Sequence, residues 1–126
     1  MKLRIRANTL RLRLSRGEVN ALAESGEVRE GIAFGSAPTE RLGYAIVASD
    51  EAKETSARLS GGSVEVLVPR ALAREWAANE TVGFEAHQAI GERSSLHILV
   101  EKDFACLTPR KGEDDADAFP NPNDAC

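Results

Sequence analysis

"SVEVLVPRALAREWAANETVGFEA", residues 63–86, holds in one run the pattern that decides the fold. Val64, Val66 and Val68 recur at every second position, the period of a strand that buries one face. Pro69 then suits a first helical position, where its missing N–H has no intrahelical partner to lose. Trp76 and Ala77 share the inward face of a short helix, and Val82 and Phe84 restart a strand beyond it. Gly61-Gly62 ahead of the run predicts a two-residue turn that sets Arg58 opposite Glu65.

Moving back 54 residues reproduces the pattern without a gap. Leu10, Leu12 and Leu14 fall on Val64, Val66 and Val68; Arg16 on Arg70; Leu22 and Ala23 on Trp76 and Ala77; Val28 on Val82; Leu42 and Ile46 on Leu96 and Val100. Leu3 and Ile5 precede Ala7-Asn8 as the other arm of a hairpin. Ser15 and Glu18 form a capping box, Val19, Leu22 and Ala23 keep helical spacing, and Gly26 stands where a helix stops. Leu42, Tyr44 and Ile46 follow a Gly-Ser-Ala-Pro turn at residues 35–38. Each half therefore predicts β-β-α-β-β, and unbroken register between halves marks an internal duplication.

Residues 63–86 resemble the hydrophobic strand, Val-Pro-basic, helix, acidic turn and strand of AbrB-type swapped-hairpin regulators. "NTLRLRLSRGEV", residues 8–19, is a second copy with Ser15 in place of the proline. In that family such units interleave their hairpins into a barrel. The resemblance implies an α+β, mainly β fold: duplicated β-β-α-β-β units, 1–48 and 54–102, forming a single-chain pseudo-dimeric barrel with two short capping helices. The whole chain also resembles a bacterial family of uncharacterised proteins that joins this core to a "VEKDFACLTPR...DAFPNP" ending, present here from Val100 to Pro122.

The chain has 126 residues, 42% hydrophobic and 29% charged, which suits one soluble domain with a modest core. No apolar run approaches the roughly 18 residues of a membrane span, and no secretory leader is written at the start, so a cytoplasmic location without a membrane partner is expected. Cys106 and Cys126 form no Cys-x-x-Cys pattern. They are thiols in a reducing cytosol; in an oxidising compartment a bridge would close a loop of about 20 residues, worth about 3 kcal/mol. The formal charge of -4 resides after Arg110, where five acidic residues face Lys111; residues 1–110 balance 15 basic against 15 acidic side chains. Residues 103–126 thus read as an irregular, acidic, Pro-rich tail, with Phe119 as a docking anchor. Asp115 and Asp117 begin a calcium-loop spacing that Phe119 and Pro120 then break.

Two groups of residues carry candidate chemistry. Lys2, Arg4, Arg6, Arg11 and Arg13 line one face of the first hairpin, with Arg4 opposite Arg11 and Lys2 opposite Arg13. Like charges opposed on a sheet destabilise it, so a counter-charge is required. It comes from Glu85, Glu101 or the acidic tail, from an unknown protein or anionic partner, or from nucleic-acid phosphate, as the AbrB-type resemblance implies; otherwise the long stems cover the sheet and water solvates their charged heads. His87 and His97 face each other on the last hairpin, and with Cys106 or a tail carboxylate they suggest zinc; about 30 Å of extended chain between His97 and Cys106 then has to turn back. No Gly-rich phosphate loop, nucleophile elbow or His-Glu-x-x-His is present, so a non-catalytic binding or interaction module without an organic cofactor is expected, not an enzyme.

Overall fold

Alternating side chains place Leu3, Ile5, Leu10 and Leu12 on one face, and the chain folds them together as β1 (Lys2–Arg6) and β2 (Thr9–Leu14) around Ala7-Asn8. The pairing is the expected one: Lys2 opposite Arg13, Leu3 opposite Leu12, Arg4 opposite Arg11 and Ile5 opposite Leu10. The structure is a computed structural model that describes residues 1–104. After the first hairpin come α1 (Arg16–Ser25), β3 (Glu27–Ala33), β4 (Arg41–Ser49), β5 (Ser56–Ser60), β6 (Ser63–Pro69), α2 (Arg70–Ala78), β7 (Gly83–Ile90) and β8 (Ser94–Lys102). The β-β-α-β-β order occurs twice, and β1 and β5 span equivalent residues under the 54-residue shift.

The two helices begin differently. Ser15 Oγ accepts the Glu18 N–H at 3.3 Å while the Ser15 N–H donates to Glu18 Oε1 at 2.8 Å, the predicted capping box. Pro69 instead stays extended (φ -55, ψ 132) as the last residue of β6, opposite Ser49, and α2 starts at Arg70, one residue later than the sequence predicts. The parallel ladder holds Pro69 in the strand.

The helix ends correct the gapless duplication. Gly26 takes φ 88, donates its N–H to Leu22 O at 3.1 Å and turns α1 straight into β3. Asn79 ends α2 in an extended conformation, its side chain accepts the Thr81 N–H at 2.9 Å, and β7 begins only at Gly83. Glu27 opposes Val47 while Gly83 opposes Glu101, so β7 corresponds to β3 with a shift of 56, two residues beyond that of the other elements. Without a left-handed C-cap, the second unit needs a longer connection.

The strands form two four-stranded sheets, β1-β2-β8-β7 and β3-β4-β6-β5. The central pairs β2/β8 and β4/β6 are parallel and the outer pairs antiparallel. Each hairpin therefore pairs with a hairpin of the other unit, and neither unit owns a complete sheet. Among the described residues no ladder crosses between sheets, so the expected barrel takes the form of two sheets instead of one hydrogen-bonded cylinder. At one seam the Gln88 side chain on β7 substitutes for a ladder: it accepts the Ala57 N–H of β5 at 2.7 Å and donates to the Ala57 carbonyl at 2.9 Å.

Between the sheets and under the helices lies the core, with Leu12, Leu14, Leu22, Ile46, Val66, Val68, Trp76, Ile98 and Val100 fully buried. Trp76 occupies the place of Leu22, and Ala73 that of Val19, so the smaller neighbour offsets the larger ring. The indole N–H donates to Thr81 O at 3.0 Å, and Phe84 meets the ring edge-on at 5.2 Å. Parallel central strands put all four hairpin turns at the end opposite the helices. There Ile5, Ile32, Leu59 and Ile90 occupy core-facing positions yet lie exposed. No helix among the described residues is long and apolar enough to cross a membrane.

Candidate functional site

Strand alternation assigns the outer face of the β1-β2-β8-β7 sheet row by row. One row runs Lys2, Arg13, Glu101, Gly83; the next Arg4, Arg11, Leu99, Glu85; the third Arg6, Thr9, His97, His87. The basic ladder and the histidine pair thus share one surface, because the first and last hairpins are neighbours in the sheet. That adjacency depends on the swapped pairing and has no local signal in the sequence.

The like-charge conflict of the first hairpin is relieved within the chain. Arg11 Nε stands 2.7 Å from Glu101 Oε1, both atoms shut off from solvent and off the hydrogen-bond line, so this contact is electrostatic. Lys2 Nζ lies 2.8 Å from Asp103 Oδ2. Arg4 and Arg13 also have partners, whereas the Arg6 side chain makes no hydrogen bond or ion pair with another described residue. Glu101 therefore plays the neutralising part expected of it. Glu85 does not: its Oε2 lies 2.7 Å from His97 Nε2.

His87 and His97 stand directly opposite, as predicted, with ring centroids 4.4 Å apart and planes 7° from parallel. One ligand atom each from Glu85, His87 and His97 lies within 4.8 Å of the others. Glu85 was readable as a companion, being two residues before His87 on the same strand face. Cys106 and the acidic tail beyond Phe104, including the proposed docking of that segment on the ladder, lie outside the described residues.

The Family of unknown function (DUF7009) matches residues 1–123. The chain belongs to that family. No curated protein and no solved structure matches it. The DUF7009 match runs past Phe104 and takes in the ending that the sequence associates with an uncharacterised family. The AbrB-type resemblance, drawn from the motif in residues 63–86, is not confirmed by these comparisons.

Two further polar clusters of this DUF7009 chain join residues distant in sequence. The Met1 ammonium contacts Glu18 and lies 2.7 Å from Glu30 Oε1, and Glu30 Oε2 accepts the Tyr44 hydroxyl at 2.9 Å. Burial draws the ammonium pKa down, but hydrogen bonds to Glu18 and Glu30 outweigh it and raise the value. On the outer face of the other sheet, Glu65 accepts from Arg58 Nε and Arg29 Nη2, each at 3.0 Å. Those hydrogen bonds hold its carboxyl below the ordinary range.

Proposed function

We propose that this chain is a non-catalytic binding module that holds acidic groups of a protein partner on the outer face of its first hairpin. The supporting observation is the divergence of two equivalent surfaces. Lys2, Arg4, Arg6, Arg11 and Arg13 correspond to Ser56, Arg58, Ser60, Glu65 and Leu67, with the same cross-strand pairing. One hairpin carries five cations and no anion; its counterpart carries one of each. A shared scaffold does not require that difference. Lys2 pairs with Asp103 through an exposed ammonium, a contact worth about 1 kcal/mol or less that a partner's carboxylate can replace at small net cost.

The swapped hairpins favour a second reading, an AbrB-like DNA-binding regulator. With one basic hairpin per pseudo-dimer, such a protein lacks a two-fold phosphate footprint. Fluorescence anisotropy of the full chain with labelled poly-glutamate and with labelled duplex DNA separates the readings. The proposal expects poly-glutamate binding that weakens as salt rises from about 50 to about 200 mM, and weakens at least about tenfold in the Lys2→Ser, Arg6→Ser double variant, which takes the residues of the second hairpin. Tighter binding of DNA than of poly-glutamate moves the function to nucleic acid. Binding of neither at low salt overturns both.

A further inference from the structure

We infer that Glu85, His87 and His97 form a binding site for a borderline divalent transition-metal ion, of which Zn2+ is the representative. The three donors come from neighbouring strands of one sheet, and the ladder fixes where they start. His87 and His97 are a directly opposed pair whose near-parallel rings stack with centroids 4.4 Å apart. Glu85 is diagonal to His97 on the same face and already touches it at 2.7 Å. The donor atoms lie within 4.8 Å of each other. Ligand bonds of about 2.0–2.1 Å in a tetrahedron space neighbouring donors roughly 3.4 Å apart, so the widest separation closes by up to about 1.4 Å while the 2.7 Å Glu85–His97 contact opens slightly. His97 is half-buried and Glu85 and His87 are exposed, which leaves room for that rotation.

Two imidazoles and one carboxylate are the ligand types zinc takes when a fourth position remains open to water or a partner's group. They suit Zn2+, Cu2+, Ni2+ or Co2+ better than Mg2+ or Ca2+, which prefer all-oxygen shells. The other sheet supports a specific role for the cluster. At the places equivalent to Glu85, His87 and His97 it has Arg29, Gly31 and Gly43, which offer no ligand. The duplicated scaffold holds its strands without such donors. This site takes its groups from β7 and β8, whereas the acid-binding face proposed above takes its cations from β1 and β2.

The cluster also changes the identity of the third ligand. The sequence suggests Cys106 or a tail carboxylate; the geometry supplies Glu85, which needs no reversal of the chain. Isothermal titration of the full chain with zinc chloride, and Co2+ titration followed by visible absorption, test the site. The expected result is one ion per chain, bound at least about tenfold more weakly in His87→Ala, in His97→Ala and in Glu85→Gln, and unchanged in Cys106→Ser, Cys126→Ser and in Lys2→Ser, Arg6→Ser. Thermal melting of each metal-free variant verifies its fold. Zinc binding that survives in the His87→Ala, His97→Ala double variant, or no binding at millimolar zinc, overturns the assignment; loss in Cys106→Ser, Cys126→Ser transfers the site to the thiols.

Discussion

Replacing Gln88 with alanine tests whether a single side chain joins the two sheets at the β5-β7 seam. Gln88 makes two partly buried hydrogen bonds to the backbone of Ala57, at 2.7 and 2.9 Å, so both edge groups of that residue depend on it. Each such bond contributes a net of about 0.5–1.5 kcal/mol, and both together about 1–3 kcal/mol. For a chain of this size that corresponds to a loss in melting temperature of about 4–12 °C. Gln88→Glu is the sharper variant. It keeps an acceptor for the Ala57 N–H but sets a carboxylate against the Ala57 carbonyl, so at neutral pH it should cost at least as much as alanine. The assay combines thermal melting with amide hydrogen exchange, in which the Ala57 N–H loses protection in Gln88→Ala while the Val66 N–H in central β6 keeps its own. A Gln88→Ala melt within about 1 °C of the wild type, or an unchanged Ala57 exchange rate, refutes the seam.

Removal of Arg11 by alanine leaves Glu101 Oε1 shut off from solvent without its counter-charge, and should cost about 1–3 kcal/mol in urea unfolding, whereas Arg6→Ala should stay within about 0.5 kcal/mol; equal costs reject the internal pairing. The Arg11→Met, Glu101→Gln double variant removes both charges together and should recover most of the loss. For Glu65 the folded pKa is lowered by its hydrogen bonds with Arg58 and Arg29, so its contribution is complete above the ordinary value of about 4.5 and disappears as pH falls through the lower folded value. Glu65→Gln should therefore melt below the wild type at neutral pH and converge with it in acid, and parallel curves across that range reject the assignment.

Local registers were readable because short turns and strict alternation leave few choices. A two-residue turn at Ala7-Asn8 or Gly61-Gly62, combined with one apolar face, permits a single pairing, since a slip of one residue turns every side chain to the wrong side. On the last hairpin, pairing the core-facing Phe84 with Val100 and Ala86 with Ile98 sets His87 opposite His97, and Ser15, Glu18 and Gly26 mark both ends of α1. What escaped depends on atoms brought together by the swapped topology. Gln88 meets Ala57 and Met1 meets Glu30 across separate elements, and no spacing rule connects them. The two-residue offset of β7 escaped for a different reason. Val28 and Val82 both satisfy the alternating pattern, and only the ladders show that they are not structural equivalents.

The distribution of chemistry over this duplicated fold follows from how its sheets are assembled. Each sheet joins the first hairpin of one unit to the second hairpin of the other, so a surface that needs both hairpins exists only when the two units interleave. In a homodimer of identical units both surfaces would carry the same side chains. Joining the units in one chain lifts that constraint: β1 and β2 have gathered cations and β7 and β8 the Glu85, His87 and His97 cluster, while the opposite face holds its Arg58-Glu65-Arg29 network and the glycines Gly31 and Gly43. The buried positions have diverged within tighter limits, trading Val19 and Leu22 for Ala73 and Trp76, because the core must still fill its volume. Packing restrains both halves of the core, and the outer face of one sheet is where the halves differ most in the chemistry they present.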